Sequence, residues 1–254
     1  MNKYIKLCLA LALASLGTSA AFANQKAVQA GHVFDAVDGR MRGESTILID
    51  GDRIVSVVQG YVSPEGYEVI DRRSSTVLPG LIDCHVHLNH SDNVYTKSDP
   101  TPDRSKLELA LLSPDNAKKT LLSGFTSIRD VGAWGGSDLL LKQAIDRGDL
   151  EGPRMFVALE GIGPTGGHSD PANGHLVAEA GLDRENAVAD GVDAVTRLIR
   201  DHKRRGANLI KIMPGGGIGT PGDDPNRQLM TDAEIRAAVE TAHWLGMKVA
   251  AHAE

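Results

Sequence analysis

The chain has 254 residues, 41% hydrophobic and 24% charged, with a net charge of −6. This is the composition of a soluble globular protein, and its acidic balance without any basic run argues against nucleic acid as a partner. Two cysteines, Cys8 and Cys84, are too few for a disulfide framework.

The first segment departs from that average. Lys3 and Lys6 give a positive start, Leu7–Leu16 is apolar, and Ala21-Phe22-Ala23 has the small-x-small form of a cleavage site. The expectation is a secretory signal peptide over 1–23, cut after Ala23, with the mature chain periplasmic or secreted and not membrane-bound. About ten apolar residues are too few to span a bilayer as a stable helix, although an uncleaved anchor is the alternative. Cys8 lies too early for a lipoprotein attachment site and receives no role. Cys84 is then the single remaining thiol, unable to form an internal disulfide and expected to be a small buried side chain.

Residues 24–76 read as a small β-domain. Thr46–Ile49 and Arg53–Val58 flank Asp50-Gly51-Asp52, a hairpin signal because glycine tolerates the positive φ of such a turn. From Val77 a βα rhythm takes over. Val77–Leu88 is the first strand. Pro114–Leu122 reads as a helix with Ser113 as N-cap and proline at its first position. Phe125–Val131 is the second strand, Ser137–Arg147 a helix, and Arg154–Leu159 the third strand. Ala187–Arg205 is a helix whose basic last turn suits its dipole. Asn208–Met213 is the fourth strand. Thr231 caps a helix over Asp232–Leu245, with Glu234 completing a capping box, and Gly246 ends it before a fifth strand in Lys248–Glu254.

Three of these strands carry chemistry. In VLPGLIDCHVHL (77–88), strand alternation projects His85 and His87 to one face and turns Cys84 and Val86 to the other. Two imidazoles about 6–7 Å apart along a strand can converge on one cation. The plain alternative is a hydrogen-bonded pair at a strand end. Lys211 stands in NLIKIM, on the face of Leu209 and Met213. A lysine facing a core must be paired, neutralised or chemically altered, unless it snorkels to solvent. An uncharged amine can add carbon dioxide to form a carbamate, an oxygen ligand able to bridge two cations. His252, in KVAAHAE, again ends an apolar strand, where a hydrogen-bonded core histidine is the alternative. Parallel strands joined by crossover helices bring such ends together at one mouth, where active sites are built.

Two long loops, 89–113 and 160–186, follow the first and third strands and would roof that mouth. His168, Ser169, Asp170 and His175 are therefore candidates for substrate contact, against a solvated loop. Asp130 could line the site or serve as a link to Arg129 or a backbone amide. The glycine run 215–219 lacks the Gly-Lys-Ser/Thr ending of a phosphate loop.

PGLIDCHVHL, Lys211 with the following GGGIG, and His252 in AAHAE resemble the metal-binding strands of the amidohydrolase superfamily. The likeness is to its binuclear branch with a carboxylated lysine, which includes Xaa-Pro and Xaa-Arg dipeptidases and imidazolonepropionase-like proteins. The fold implied is α/β: the N-terminal part of a (β/α)8 TIM-like barrel, about five βα units over 77–254, preceded by an incomplete β-sandwich-type domain. By that resemblance His85 and His87 bind one metal, Lys211 as its carbamate bridges two, and His252 binds the second. Two divalent cations are implied, with zinc the default for imidazole and carboxylate-like oxygen.

The resemblance also exposes a gap. Family members continue for three more strands, bringing another histidine ligand and an aspartate that handles protons, whereas this chain stops at Glu254. The expectation is the N-terminal portion of a longer enzyme, with no catalytic aspartate to name. A deliberately half-sized barrel would expose an unpaired sheet edge. The chemistry implied is hydrolysis of an amide or peptide C–N bond in a dipeptide or acylated amino acid. A bridging water would act as hydroxide while a cation polarises the carbonyl. The alternatives are a cyclic amide of the imidazolone kind, or a catalytically inactive metal-binding fragment. The expected partner is a small molecule or dipeptide substrate, and a homo-oligomer remains open.

Overall fold

The computed structural model describes residues 25–89, 106–170, 172–173, 184–218, 220 and 223–253. The expected signal segment and His175 lie outside the described residues. Two compact units are present, Met1–Pro79 and Gly80–Glu254.

The first unit contains β1 (Gln25–Asp35), β2 (Arg40–Arg42), β3 (Ser45–Asp50), β4 (Arg53–Gln59) and β5 (Glu68–Val77). They form a single five-stranded sheet of order β2-β1-β3-β4, with β5 parallel to β1. The Asp-Gly signal produces its hairpin: β3 and β4 pair antiparallel up to Asp50 opposite Arg53, and Gly51 takes φ +59° at the turn. Ala30, Val33 and Ile47 make the small core, with Val28, Ile49 and Val77 against it. Val77 therefore ends β5, opposite Val33, rather than opening the barrel's first strand. The Pro79-Gly80 step explains the shift, because proline has no N–H to continue a ladder.

The second unit alternates strand and helix: β6 (Leu81–Val86), α1 (Lys106–Leu122), β7 (Phe125–Asp130), α2 (Ser137–Asp146), β8 (Arg154–Val157), α3 (Val192–Arg205), β9 (Leu209–Ile212), α4 (Asp232–Trp244) and β10 (Lys248–Ala251). β6, β7 and β8 are parallel neighbours in that order, and β9 is parallel to β10. Asn208 joins the two groups: its N–H donates to the Val157 carbonyl at 2.8 Å, and its Oδ1 accepts from Val157 N at 3.1 Å. Ile162 then pairs with Ile212 beyond the end of β8.

Side-chain alternation divides the sheet into two faces. Ile210 and Ile212 share one core with Val195, Leu198 and Ile199 of α3 and Ala238 and Ala242 of α4. Ile128, Met155 and Val157 share another with Leu88, Ala117 and Leu141. On the opposite face Val131, Ala158 and Leu209 meet Ala250. The helices cover the first face, so Leu209 and Lys211 look the other way.

Local signals set most helix ends. Thr231 and Glu234 form a reciprocal capping box at α4, and Glu234 also accepts the Gly191 N–H at 2.6 Å, tying the starts of α3 and α4 together. Gly246 leaves α4 with φ +74°. Two expectations fail. α1 begins at Lys106, so Pro114 lies inside it and Ser113 is no cap. The helix formers in KLELALL carry the helix through a proline that removes one backbone bond. α3 begins at Val192 rather than Ala187, after Gly191 at φ +85°. Among the described residues no helix is long and apolar enough to cross a membrane.

Thr231→Ala removes one half of the α4 cap and is expected to lower unfolding free energy by about 1 kcal/mol, read from urea denaturation. Glu234→Ala, which also abandons Gly191, should cost more; an equal or smaller loss would contradict the double role.

Candidate metal centre

The C-terminal ends of β6, β9 and β10 carry the expected donors. His85 lies in β6 and His87 just past it, with ring centroids 5.3 Å apart and planes at 69°. His85 is exposed and His87 half-buried. His87 Nδ1 stands 2.9 Å from the Gly132 carbonyl. A carbonyl only accepts, so the ring hydrogen sits on Nδ1 and the Nε2 lone pair is the one suited to a cation.

Lys211, in the middle of β9, is 1% exposed and heads the large side chains that are fully buried. Among the described residues no carboxylate forms an ion pair with it. Burial pushes its ammonium below the ordinary lysine range, and the positive charge of Arg129 adds to that push. His85 is also lowered, by partial desolvation and then by the positive charges of Lys211, Arg129 and His252, with Asp83 opposing. Lys211 and His252 are therefore electrostatic neighbours of His85, although they come from strands distant in sequence.

His252 follows β10, and its N–H donates to the Ile212 carbonyl at 2.9 Å. Its ring stacks on His168 with centroids 4.3 Å apart and planes at 26°. His168 Nδ1 in turn lies 2.6 Å from Thr220 Oγ1. One of the four loop candidates for substrate contact thus stands against an expected metal ligand. Asp170 instead binds its own loop: its oxygens accept the Gly166 N–H at 2.9 Å and the Ala172 N–H at 3.0 Å. Ser169 is buried beside it.

Among the described residues no three His, Cys, Asp or Glu side chains are gathered as a ready ion cage. The donor chemistry nevertheless fits a divalent cation. Two imidazoles share one strand end, and within electrostatic reach of His85 lies a buried amine whose charge burial disfavours, which as a carbamate would add oxygen. His252, its face stacked on His168, would supply a third imidazole through a ring-edge nitrogen.

The buried acids behind these strand ends carry little local signature in the order of residues. Asp130 is fully buried and accepts the N–H groups of Leu88 at 3.1 Å and Gly132 at 3.2 Å. Of the two roles open to it, the backbone link is the one observed. Asp138, in the first turn of α2, accepts Leu139 N at 2.8 Å and Leu159 N at 2.9 Å. Leu159 has φ +64°, a strained value for a non-glycine residue that persists only where its surroundings hold it. Next to it Glu160 is clasped by the Arg205 guanidinium at 3.1 and 3.3 Å, and the buried His202 lies 2.9 Å from the Asn186 carbonyl through Nε2. An acid at a helix start was the one legible hint; the φ of Leu159 has no local signature. Cys84, expected to be buried, is exposed. The covering cluster reaches only Val86 and Leu88 at the far end of β6.

Parallel strands alternating with helices, and presenting imidazoles and a masked amine at one set of ends, define a barrel-type α/β protein. The chain belongs to the amidohydrolase family, which its residues 76–254 match. It is 32% identical over 226 residues to the ochratoxinase of Aspergillus niger, a span of 81% of this chain and 45% of that protein. A crystal structure of a Xaa-Pro dipeptidase with bound methionine superposes with a TM-score of 0.83 at 36% identity, covering 90% of this chain and 56% of the other. A prolidase complexed with N-methylphosphonate-L-proline gives 0.77 at 34% identity over the same shares. The chain spans about half the length of the curated relatives it matches.

Burial, reinforced by the charge of Glu160, pushes the Asp138 carboxyl up to about 7. An acid whose pKa rises on folding stabilises the native state below its unfolded value, about 3.9, and that contribution is lost as pH climbs through the folded value. The stability advantage of the wild type over Asp138→Asn should therefore shrink between about pH 4 and pH 7, followed by chemical denaturation across that range. A difference that is flat, or that grows with pH, would contradict the raised acid.

Proposed function

We propose that the protein is a metal-dependent hydrolase acting on the amide or peptide C–N bond of a dipeptide or acylated amino acid. The observation that carries this is Lys211: a fully buried amine with no carboxylate partner among the described residues, within electrostatic reach of His85, whose ring stands 5.3 Å from that of His87. Kinship with an ochratoxinase, and likeness to a Xaa-Pro dipeptidase and a prolidase, support the substrate class.

His85 and His87 would hold one divalent cation, His252 a second, and Lys211 as a carbamate would bridge them, with zinc the preferred ion. The neutral Lys211 amine would attack carbon dioxide: an N–C bond forms, one C–O π bond opens with its pair moving to oxygen, and a nitrogen proton leaves to solvent. Burial and Arg129 favour that step by disfavouring the ammonium. Bound cations supply Lewis acidity and a water nucleophile at neutral pH. His168, stacked on His252 and held by Thr220, is placed to orient substrate at the same rim. Asp170 shapes the loop that carries it. The positive start and apolar run of Met1–Ala23 support an exported, periplasmic or secreted location.

The test is hydrolysis by zinc-supplied protein of Xaa-Pro dipeptides and N-acyl amino acids, with a cyclic amide alongside. Turnover of the linear amides, cut at least about a hundredfold in kcat/KM by His85→Ala or Lys211→Ala, supports the proposal. Turnover of the cyclic amide alone would reassign the substrate. Zinc-independent activity indifferent to both substitutions would overturn the metal chemistry.

A further inference from the structure

Asp130 sits at the end of β7 on the face that turns toward the helices, two residues from Ile128, which belongs to the core on that side. It does not face the rim, yet its two oxygens grip both supports of the His87 ring. One accepts the N–H of Leu88, the residue after His87; the other accepts the N–H of Gly132, whose own carbonyl meets His87 Nδ1 at 2.9 Å. The N–H of Val131 donates to the Val86 carbonyl at 3.1 Å, fastening the same two segments once more. The path is closed: carboxylate, Leu88 amide, His87 backbone, imidazole, Gly132 carbonyl, Gly132 amide, carboxylate.

Gly132 is tied to this arrangement by space. A Cβ at that position would lie 3.3 Å from His87 Cε1 and 3.5 Å from Nδ1, pressing on the ring. A side chain there would push the imidazole aside by a few tenths of an ångström, whereas glycine brings its carbonyl to Nδ1 and leaves the ring where it is.

We infer that Asp130 and Gly132 are positioning residues for His87, fixing its ring in the Nδ1–H form and turning the Nε2 lone pair toward the rim. The consequence for metal binding rests on the function proposed above; the tautomer does not. A ligand imidazole must be neutral with a defined nitrogen presented, and a partner on its other nitrogen decides which one. A carboxylate acting through a backbone carbonyl achieves this without bringing negative charge into contact with the ring. If Asp130 merely fastened β6 to β7, its loss would weaken the fold and leave the tautomer alone.

The experiment is long-range 1H–15N NMR of histidine-labelled, metal-free protein, with His87 assigned by comparison with His87→Gln. Zinc titration is run on the same samples. The wild type is expected to show His87 protonated on Nδ1. Asp130→Asn, which sets an NH2 against one of two N–H groups, and Gly132→Ala, which keeps every donor and acceptor, should each yield a mixture of tautomers. Each should also weaken zinc binding by about 10–100-fold. Should Asp130→Asn fail to fold, Gly132→Ala carries the comparison. A wild-type ring protonated on Nε2, or variants with unchanged tautomer and zinc affinity, overturns the inference. Tautomer changes in a protein that binds no zinc would keep the positioning role and remove the metal function instead.

Discussion

An ammonium group withdrawn from water with no carboxylate beside it is among the most costly arrangements a fold can hold. Among the described residues Lys211 meets no carboxylate, and it lies 1% exposed in a parallel strand, opposed by the positive charge of Arg129. The physical escape is loss of the charge. A neutral amine is a nucleophile toward carbon dioxide, and its adduct is an anion that only nearby cations can stabilise. On the proposed function, cations held at the His85–His87 strand end would stabilise that anion. Each half of the site makes sense of the other.

The strand that bears this lysine also isolates it. Alternation places Ile210 and Ile212 among the helices and leaves Leu209 and Lys211 on the opposite face with Val131, Ala158 and Ala250. Behind the strand ends lies a layer of buried acids. Asp130 fastens β6 to the segment after β7, Asp138 holds the strained Leu159, and Arg205 neutralises Glu160. The oxygens of these acids accept backbone N–H groups and one guanidinium, so their burial leaves them satisfied.

Much of this was legible in the order of residues because the signals were local and periodic. The His-x-His spacing fixes two rings to one face on any strand, and Thr231 three residues before Glu234 announces a capped helix before any packing is known. Lys211 was legible as an anomaly, a charge in an apolar run. Other features depend on partners far along the chain. The stack of His168 on His252 spans 84 positions of sequence by their numbering, and nothing near either residue announces it. The positive φ of Leu159 is imposed by Asp138 and by Ala133, whose N–H donates to the Leu159 carbonyl. Pro114 misleads because its usual place is a helix start, while the helix formers before it carry α1 past that point. Cys84 misleads because strand parity gives direction, not cover.

The most direct measurement is anomalous diffraction at the zinc edge from crystals grown with zinc and bicarbonate. The account requires zinc bound by the Nε2 atoms of His85 and His87, with continuous density for a carbamate on Lys211 reaching the ion. Zinc bound elsewhere, or an unmodified Lys211 reaching bulk water or a carboxylate, would contradict it.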